Sequence, residues 1–176
     1  ETGNFNGRAI FIFQPNEENG LGAKAMIDDG LFTRFNADAV FAMHNIPGME
    51  AGHFATRIGA ITASEALFEI TITARGGHAA LPHMGVDAIL VGAELVTALQ
   101  SIVARKLDPA QHGVVSVTEF ITDGRRNVLP GIATLKGDAR ALTPATNNTI
   151  EAHMRQIANG IAAAHDVSIT VKYETI

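Results

Sequence analysis

Gln14-Pro15-Asn16-Glu17-Glu18 sets two carboxylates side by side at the end of an apolar run. Neighbouring acids push each other's pKa values apart. A metal bound to one then divides the roles, with one acid ligating and the other taking a proton from water. The same pair also suits the first turn of a helix, where the backbone dipole favours negative charge. His44 follows a second apolar run and precedes Asn45-Ile46-Pro47-Gly48. Imidazole with carboxylate suits Zn, Mn, Co or Ni, but two ligands do not make a site, and a lone histidine also serves as a hydrogen-bonded surface residue. In Arg75-Gly76-Gly77-His78-Ala79-Ala80-Leu81-Pro82-His83 the glycines permit a tight backbone. One histidine there could donate to a developing oxyanion, or both could simply be exposed in a Gly-rich turn. Asn127-Val128-Leu129-Pro130 and Arg140 complete the polar set. A guanidinium can grip a carboxylate through two N–H groups, unless a salt bridge to Asp138 or Glu69 engages it.

These residues need a scaffold, and the hydrophobic periodicity supplies one. Arg8–Phe13 and Ala37–Met43 read as buried strands, with a short helix over Ala23–Ile27 between them and Gly30 as its C-cap. Strand, helix, strand is part of an α/β layered sheet, with function expected at the strands' carboxyl ends. The pattern changes near residues 58–63. Phe68, Ile70, Ile72 and Ala74 alternate with polar residues, as a half-buried strand does. Asp87–Arg105 repeats Val91, Leu95, Leu99 and Ile102 at helical spacing. Val114–Thr122 and Ile132–Leu142 read as strands. Thr146–Ala164 reads as a helix capped by Thr146 or Asn147, and Val167–Tyr173 alternates again. From residue 66 the order is β-α-β-β-α-β, the ferredoxin-like arrangement. The expected fold class is therefore α/β, with residues 1–60 part of a larger layered domain and residues 61–176 a complete small one.

The 176 residues are 47% hydrophobic and 18% charged, with a formal net charge of −5 and no cysteine. Such a chain is too apolar for disorder. It has no basic stripe for nucleic acid, and one tyrosine is too few for base stacking on the sheet. Absent cysteine removes disulfides, thiol catalysis and thiolate-bound zinc. No run approaches the roughly 18 consecutive apolar residues of a spanning helix, and Glu1-Thr2-Gly3-Asn4 does not read as a leader. The expectation is no membrane, no nucleic acid and a cytoplasmic location.

Taken in order, Phe-Ile-Phe-Gln-Pro-Asn-Glu-Glu, Met-His-Asn-Ile-Pro, Arg-Gly-Gly-His-Ala-Ala-Leu-Pro-His, Asn-Val-Leu-Pro and Gly-Asp-Ala-Arg closely resemble the metallo-aminoacylase/carboxypeptidase family. The nearest branch holds the hippurate hydrolases, N-acyl-amino-acid amidohydrolases and auxin-conjugate hydrolases. The resemblance implies an α/β metallopeptidase catalytic domain binding one or two divalent metals, and a ferredoxin-like lid that forms a homodimer. By resemblance Glu17 is the general base, and Glu18 and His44 are metal ligands. His78 stabilises the tetrahedral intermediate, Asn127 holds the substrate, and Arg140 grips its carboxylate. His83 shares the motif without an assigned role. Implied substrates are N-acyl amino acids, or dipeptides if the chain is a dipeptidase or carboxypeptidase; a non-catalytic dimerisation module is the alternative of another class. Asn16 stands where this branch often has Ala. The family's amino-terminal Cys-Gly-His-Asp or His-x-Asp ligands and its carboxyl-terminal ligand are not in this sequence. The expectation is thus an internal portion of a longer enzyme, or a truncated gene product, inactive as written.

Overall fold

The computed structural model describes residues 5–17 and 20–176. The chain divides into two compact units, Glu1–Ala55 and Thr56–Ile176. In the first, α1 (Gly22–Asp28) and α2 (Leu31–Arg34) are separated by Gly30, whose φ of 87° only glycine adopts freely. Gly30 thus acts as the N-cap of α2, while Asp29 caps α1, which corrects the expected C-cap.

The expected strands at 8–13 and 37–43 do not form: neither run belongs to a ladder. A strand exists through its pairing partner, and an apolar run signals burial without saying against what. Here Phe11, Phe13, Phe41 and Met43 are each at least 83% exposed.

The second unit holds a four-stranded antiparallel sheet in the order β3-β5-β1-β6, built from β1 (Ser64–Thr73), β3 (Gly113–Thr122), β5 (Ile132–Ala141) and β6 (Ser168–Thr175). Strict alternation makes the sheet two-faced. Ala66, Phe68, Ile70 and Ile72 of β1 are buried with Ala133, Leu135, Ala139 and Ala141 of β5. Onto this face pack α3 (Ala88–Ser101), through Val91, Leu95 and Leu99, and α4 (Pro144–His165), through Ile150, Met154 and Ala158. Gly137 of β5 is obligatory here, because a methyl group would overlap the Ser116 carbonyl and the Phe68 ring.

The Asp87 carboxylate caps α3, accepting from the Ile89 N–H at 2.8 Å. A π turn over Ile102–Lys106 extends α3, giving a 19-residue stretch long and apolar enough by composition to cross a membrane. Its buried stripe, Val91, Leu95 and Leu99, faces the sheet, while Glu94 on its exposed side pairs with His165 of α4 at 2.6 Å. The cap of α4 corrects the sequence reading. Thr143, not Thr146 or Asn147, accepts from the Thr146 N–H at 3.2 Å, and Pro144 occupies the first helical position. Thr146 and Asn147 are buried instead. Asn147 accepts from the Tyr173 hydroxyl at 2.7 Å and donates to Thr175 Oγ1 at 2.9 Å, tying α4 to β6.

Two further strands, β2 (Gly77–His78) and β4 (Val128–Leu129), form a separate two-residue ribbon.

Candidate active-site residues

Glu17 lies in a 3-10 turn ahead of α1, whose own first turn carries no acid. The backbone around it is tight. The Gly20 N–H donates to the Glu17 carbonyl at 2.8 Å, and buried Gly22 lies so near the Pro15 carbonyl that a Cβ would overlap it. Asn16 has φ 52°, in the left-handed region, where Asn is tolerated far better than Ala. That gives the departure from Ala at this position a conformational reason. Glu18 lies outside the described residues.

His44 is exposed, and its Nδ1 lies 2.7 Å from the Asn45 carbonyl oxygen. A carbonyl only accepts, so Nδ1 donates, and in the neutral ring Nε2 then keeps its lone pair. Metal-bound histidines are commonly oriented by such a bond from the other ring nitrogen. Among the described residues, however, no group of three His, Asp or Glu side chains gathers to hold a metal. Of the two candidate ligands only His44 is described, and the described residues do not complete a metal centre.

His78 and Asn127 come together in the second unit. Gly77 and His78 of β2 pair with Leu129 and Val128 of β4, and the next amide, Ala79 N–H, donates to the Asn127 carbonyl at 3.0 Å. Glycine makes this ribbon possible. Gly76 has φ 61°, and its missing Cβ would stand 2.9 Å from the Leu129 carbonyl oxygen. Gly85 passes so close that a Cβ would overlap the Gly76 carbonyl. Gly76 is held there by its N–H bond to the Val86 carbonyl at 3.1 Å. The ring of His78 accepts a bond from the Ala80 N–H at 3.1 Å through Nδ1. His83 sits in the 3-10 turn Pro82–Met84 that follows.

Arg140 lies on the sheet face opposite the helices, and it is engaged. Its Nε donates to both Asp138 carboxylate oxygens at 2.9 and 3.1 Å, and Nη2 donates to Glu65 Oε1 at 2.7 Å. Asp138 is two residues away on the same strand, and Glu65 is its direct partner on β1. The Asp138 hydrogen bond is the main cause that raises the guanidinium's pKa further. Nη1 makes none of these bonds, so the fork retains donors for a further carboxylate. Of the two salt-bridge partners anticipated, Asp138 is found and Glu69 is not. Glu69 sits opposite Lys136 and Lys172 and bonds Lys172 Nζ at 2.9 Å. That bond lowers the Glu69 pKa and raises that of Lys172.

Sequence reasoning missed Glu65 and the Ala80 amide. Glu65 was findable, because it opens the alternating run on the same face as Glu69. The Ala80 amide carries no side-chain signal.

Peptidase family M20/M25/M40 matches residues 1–174. A hippurate hydrolase of Campylobacter jejuni is 41% identical over 173 residues, covering 98% of this chain and 45% of that protein. An N-acetyldiaminopimelate deacetylase of Leuconostoc mesenteroides is 39% identical over 167 residues, covering 94% and 44%. The crystal structure of the Bacillus subtilis YXEP protein, a dinuclear metal binding peptidase from the M20 family, superposes with TM-score 0.73 at 29% identity, covering 93% of this chain and 40% of that one. The chain thus spans less than half the length of these relatives. It belongs to peptidase family M20/M25/M40.

Proposed function

We propose that the chain carries the general base and the lid-borne substrate contacts of a metal-dependent amidohydrolase acting on N-acyl amino acids. Support comes chiefly from its likeness to the C. jejuni hippurate hydrolase across 98% of its length. On this reading residues 1–60 belong to the catalytic metal-binding domain. Residues 61–176 are the ferredoxin-like lid, which pairs two subunits into a homodimer; its β-α-β-β-α-β order and sheet order support that reading. Glu18 and His44 contribute ligands to a divalent ion, whose contribution is to polarise the scissile carbonyl. Other ligands come from beyond the described residues, and the location is cytoplasmic.

The chain's own residues supply the rest. Glu17 takes the proton of the attacking water and returns it to the leaving amine. His78 donates to the oxyanion as the carbonyl carbon becomes tetrahedral. Asn127, one hydrogen bond from the His78 strand, holds the substrate, and Arg140 grips its free carboxylate.

The test replaces the corresponding stretch of the C. jejuni enzyme with this chain and follows hippurate hydrolysis with Zn²⁺, Mn²⁺ or Co²⁺. The hybrid turns over, and Glu17→Gln lowers kcat by about 10²–10⁴-fold, the usual contribution of a general base. Undiminished turnover in Glu17→Gln removes the assignment. The chain by itself is expected to be silent under the same conditions.

A non-catalytic dimerisation module is the second reading. One observation favours it: every buried hydrophobic among the described residues lies between Ala66 and Ile161. On that reading the second unit self-associates in sedimentation whether or not metal is present, and the hybrid is inactive.

A further inference from the structure

We propose that the Ala80 amide locks the neutral His78 ring in the Nε2–H tautomer, so that it meets its ligand as a hydrogen-bond donor and never as a metal-binding lone pair. The proposal rests on the reading of His78 as the oxyanion donor and deepens it, naming Ala80 as a positioning residue. The argument is one of hydrogen-bond polarity. A backbone N–H can only donate, and that of Ala80 points at Nδ1 from 3.1 Å. Nδ1 must therefore present its lone pair, and the ring's single proton resides on Nε2.

The turn that aims this amide is itself pinned. Ala79 N–H bonds the Asn127 carbonyl at 3.0 Å and Leu81 N–H bonds the His78 carbonyl at 2.9 Å, so the residues on both sides of Ala80 are tied. Met84 N–H then bonds the Leu81 carbonyl at 3.0 Å, closing the next turn. With Nδ1 occupied, the exposed ring has one free nitrogen, Nε2, and it carries hydrogen. His44 shows the opposite arrangement, with Nδ1 donating to Asn45 and Nε2 left bare. Backbone groups thus write a donor into one histidine and an acceptor into the other, as an oxyanion contact and a metal ligand respectively require.

The experiment is long-range proton–nitrogen correlation of the imidazoles in the ¹⁵N-labelled chain at mildly alkaline pH. His78 is identified by the signals lost in His78→Gln. Expected are an Nδ1 shift typical of an unprotonated nitrogen, an Nε2 shift typical of a protonated one, and a through-hydrogen-bond coupling between Ala80 N and His78 Nδ1. In Ala80→Pro, which has no N–H, the two shifts move toward each other, whereas in Ala80→Gly they do not. Should Ala80→Pro fail to fold, the coupling in the unaltered chain decides. A protonated or averaged Nδ1, or no coupling, overturns the proposal. So do Ala80→Pro shifts identical to those of the unaltered chain. None of these readouts needs turnover, so a hydrolase reading that fails in the hybrid assay fails separately.

Discussion

The amide of Ala79 donates to the carbonyl of Asn127 at 3.0 Å, across 48 positions of sequence. That bond extends the β2–β4 ribbon by one rung and puts the backbones of His78 and Asn127 at neighbouring positions. Neither residue is held by the main sheet. Their relative placement depends on a short ribbon whose close approach only glycine permits, at Gly76 and Gly85.

Gly85→Ala is therefore expected to disrupt this ribbon before it affects the sheet. The new methyl overlaps the Gly76 carbonyl, which is backbone and cannot swing aside. Overpacking of this kind costs about 1–3 kcal/mol. Amide exchange should rise for residues 76–86 and 127–131 while β1 and β5 stay protected. Gly160→Ala is the control. It lies within α4 with open space at its Cβ, and should stabilise by up to about 1 kcal/mol through helix propensity. Uniform loss of protection in Gly85→Ala would show that the ribbon and sheet are one cooperative unit.

That ribbon also marks what the sequence could and could not reveal. Val91, Leu95 and Leu99 recur at helical spacing, and Phe68, Ile70 and Ile72 alternate, so the core helix and central strand are legible from periodicity alone. A two-residue strand has no period, so the ribbon leaves only Gly77 and the flanking Gly76 and Gly85 as a trace. The runs at 8–13 and 37–43 are apolar enough for strands, but pairing is a relation between segments, and these have no ladder. The α4 cap was legible in principle, since Thr143-Pro144 pairs a favoured cap with a favoured first helical residue. At the site, residue types and the family resemblance singled out Glu17, His78 and Arg140 as candidates. Register decided the rest: Glu65 faces Arg140, while Glu69 faces Lys136.

Arg140 carries the next prediction. One guanidinium between Asp138 and Glu65 leaves the cluster with a net negative charge, so a carboxylate reaching the donors left on the fork would meet the repulsion of Glu65. In the hydrolysing hybrid, Arg140→Lys keeps the charge but loses the paired N–H geometry. It should lower kcat/KM by about 1.5–3 kcal/mol, the worth of hydrogen bonds to a charged group, mostly through KM. Glu65→Gln should act in the opposite direction and lower KM for N-acyl amino acids. A raised KM in Glu65→Gln, or an unchanged one in Arg140→Lys, would remove the carboxylate grip. The stability cost of either change is small, about 1 kcal/mol or less, because all three side chains are partly exposed.

Tyr173 gives the pH prediction, and as the one tyrosine of the sequence it reports on itself. Burial against the core pushes its phenol up to about 12, and the negative charges of Glu151 and Asp138 add to the shift. In the unfolded chain the same phenol titrates near its ordinary value of about 10. Between these two values the folded state holds a proton that the unfolded state has released, so stability falls as pH rises through that window. Below it Tyr173 contributes no pH dependence. Near-UV phenolate absorbance should give a midpoint near 12 while circular dichroism still reports folded protein, and near 10 in denaturant. Asp138→Asn and Glu151→Gln should each bring the folded midpoint down, because each removes a negative charge that opposes the phenolate. A folded midpoint already near 10 would mean that the β6 edge admits water to the ring, and that the Tyr173–Asn147 bond does not hold α4 against the sheet.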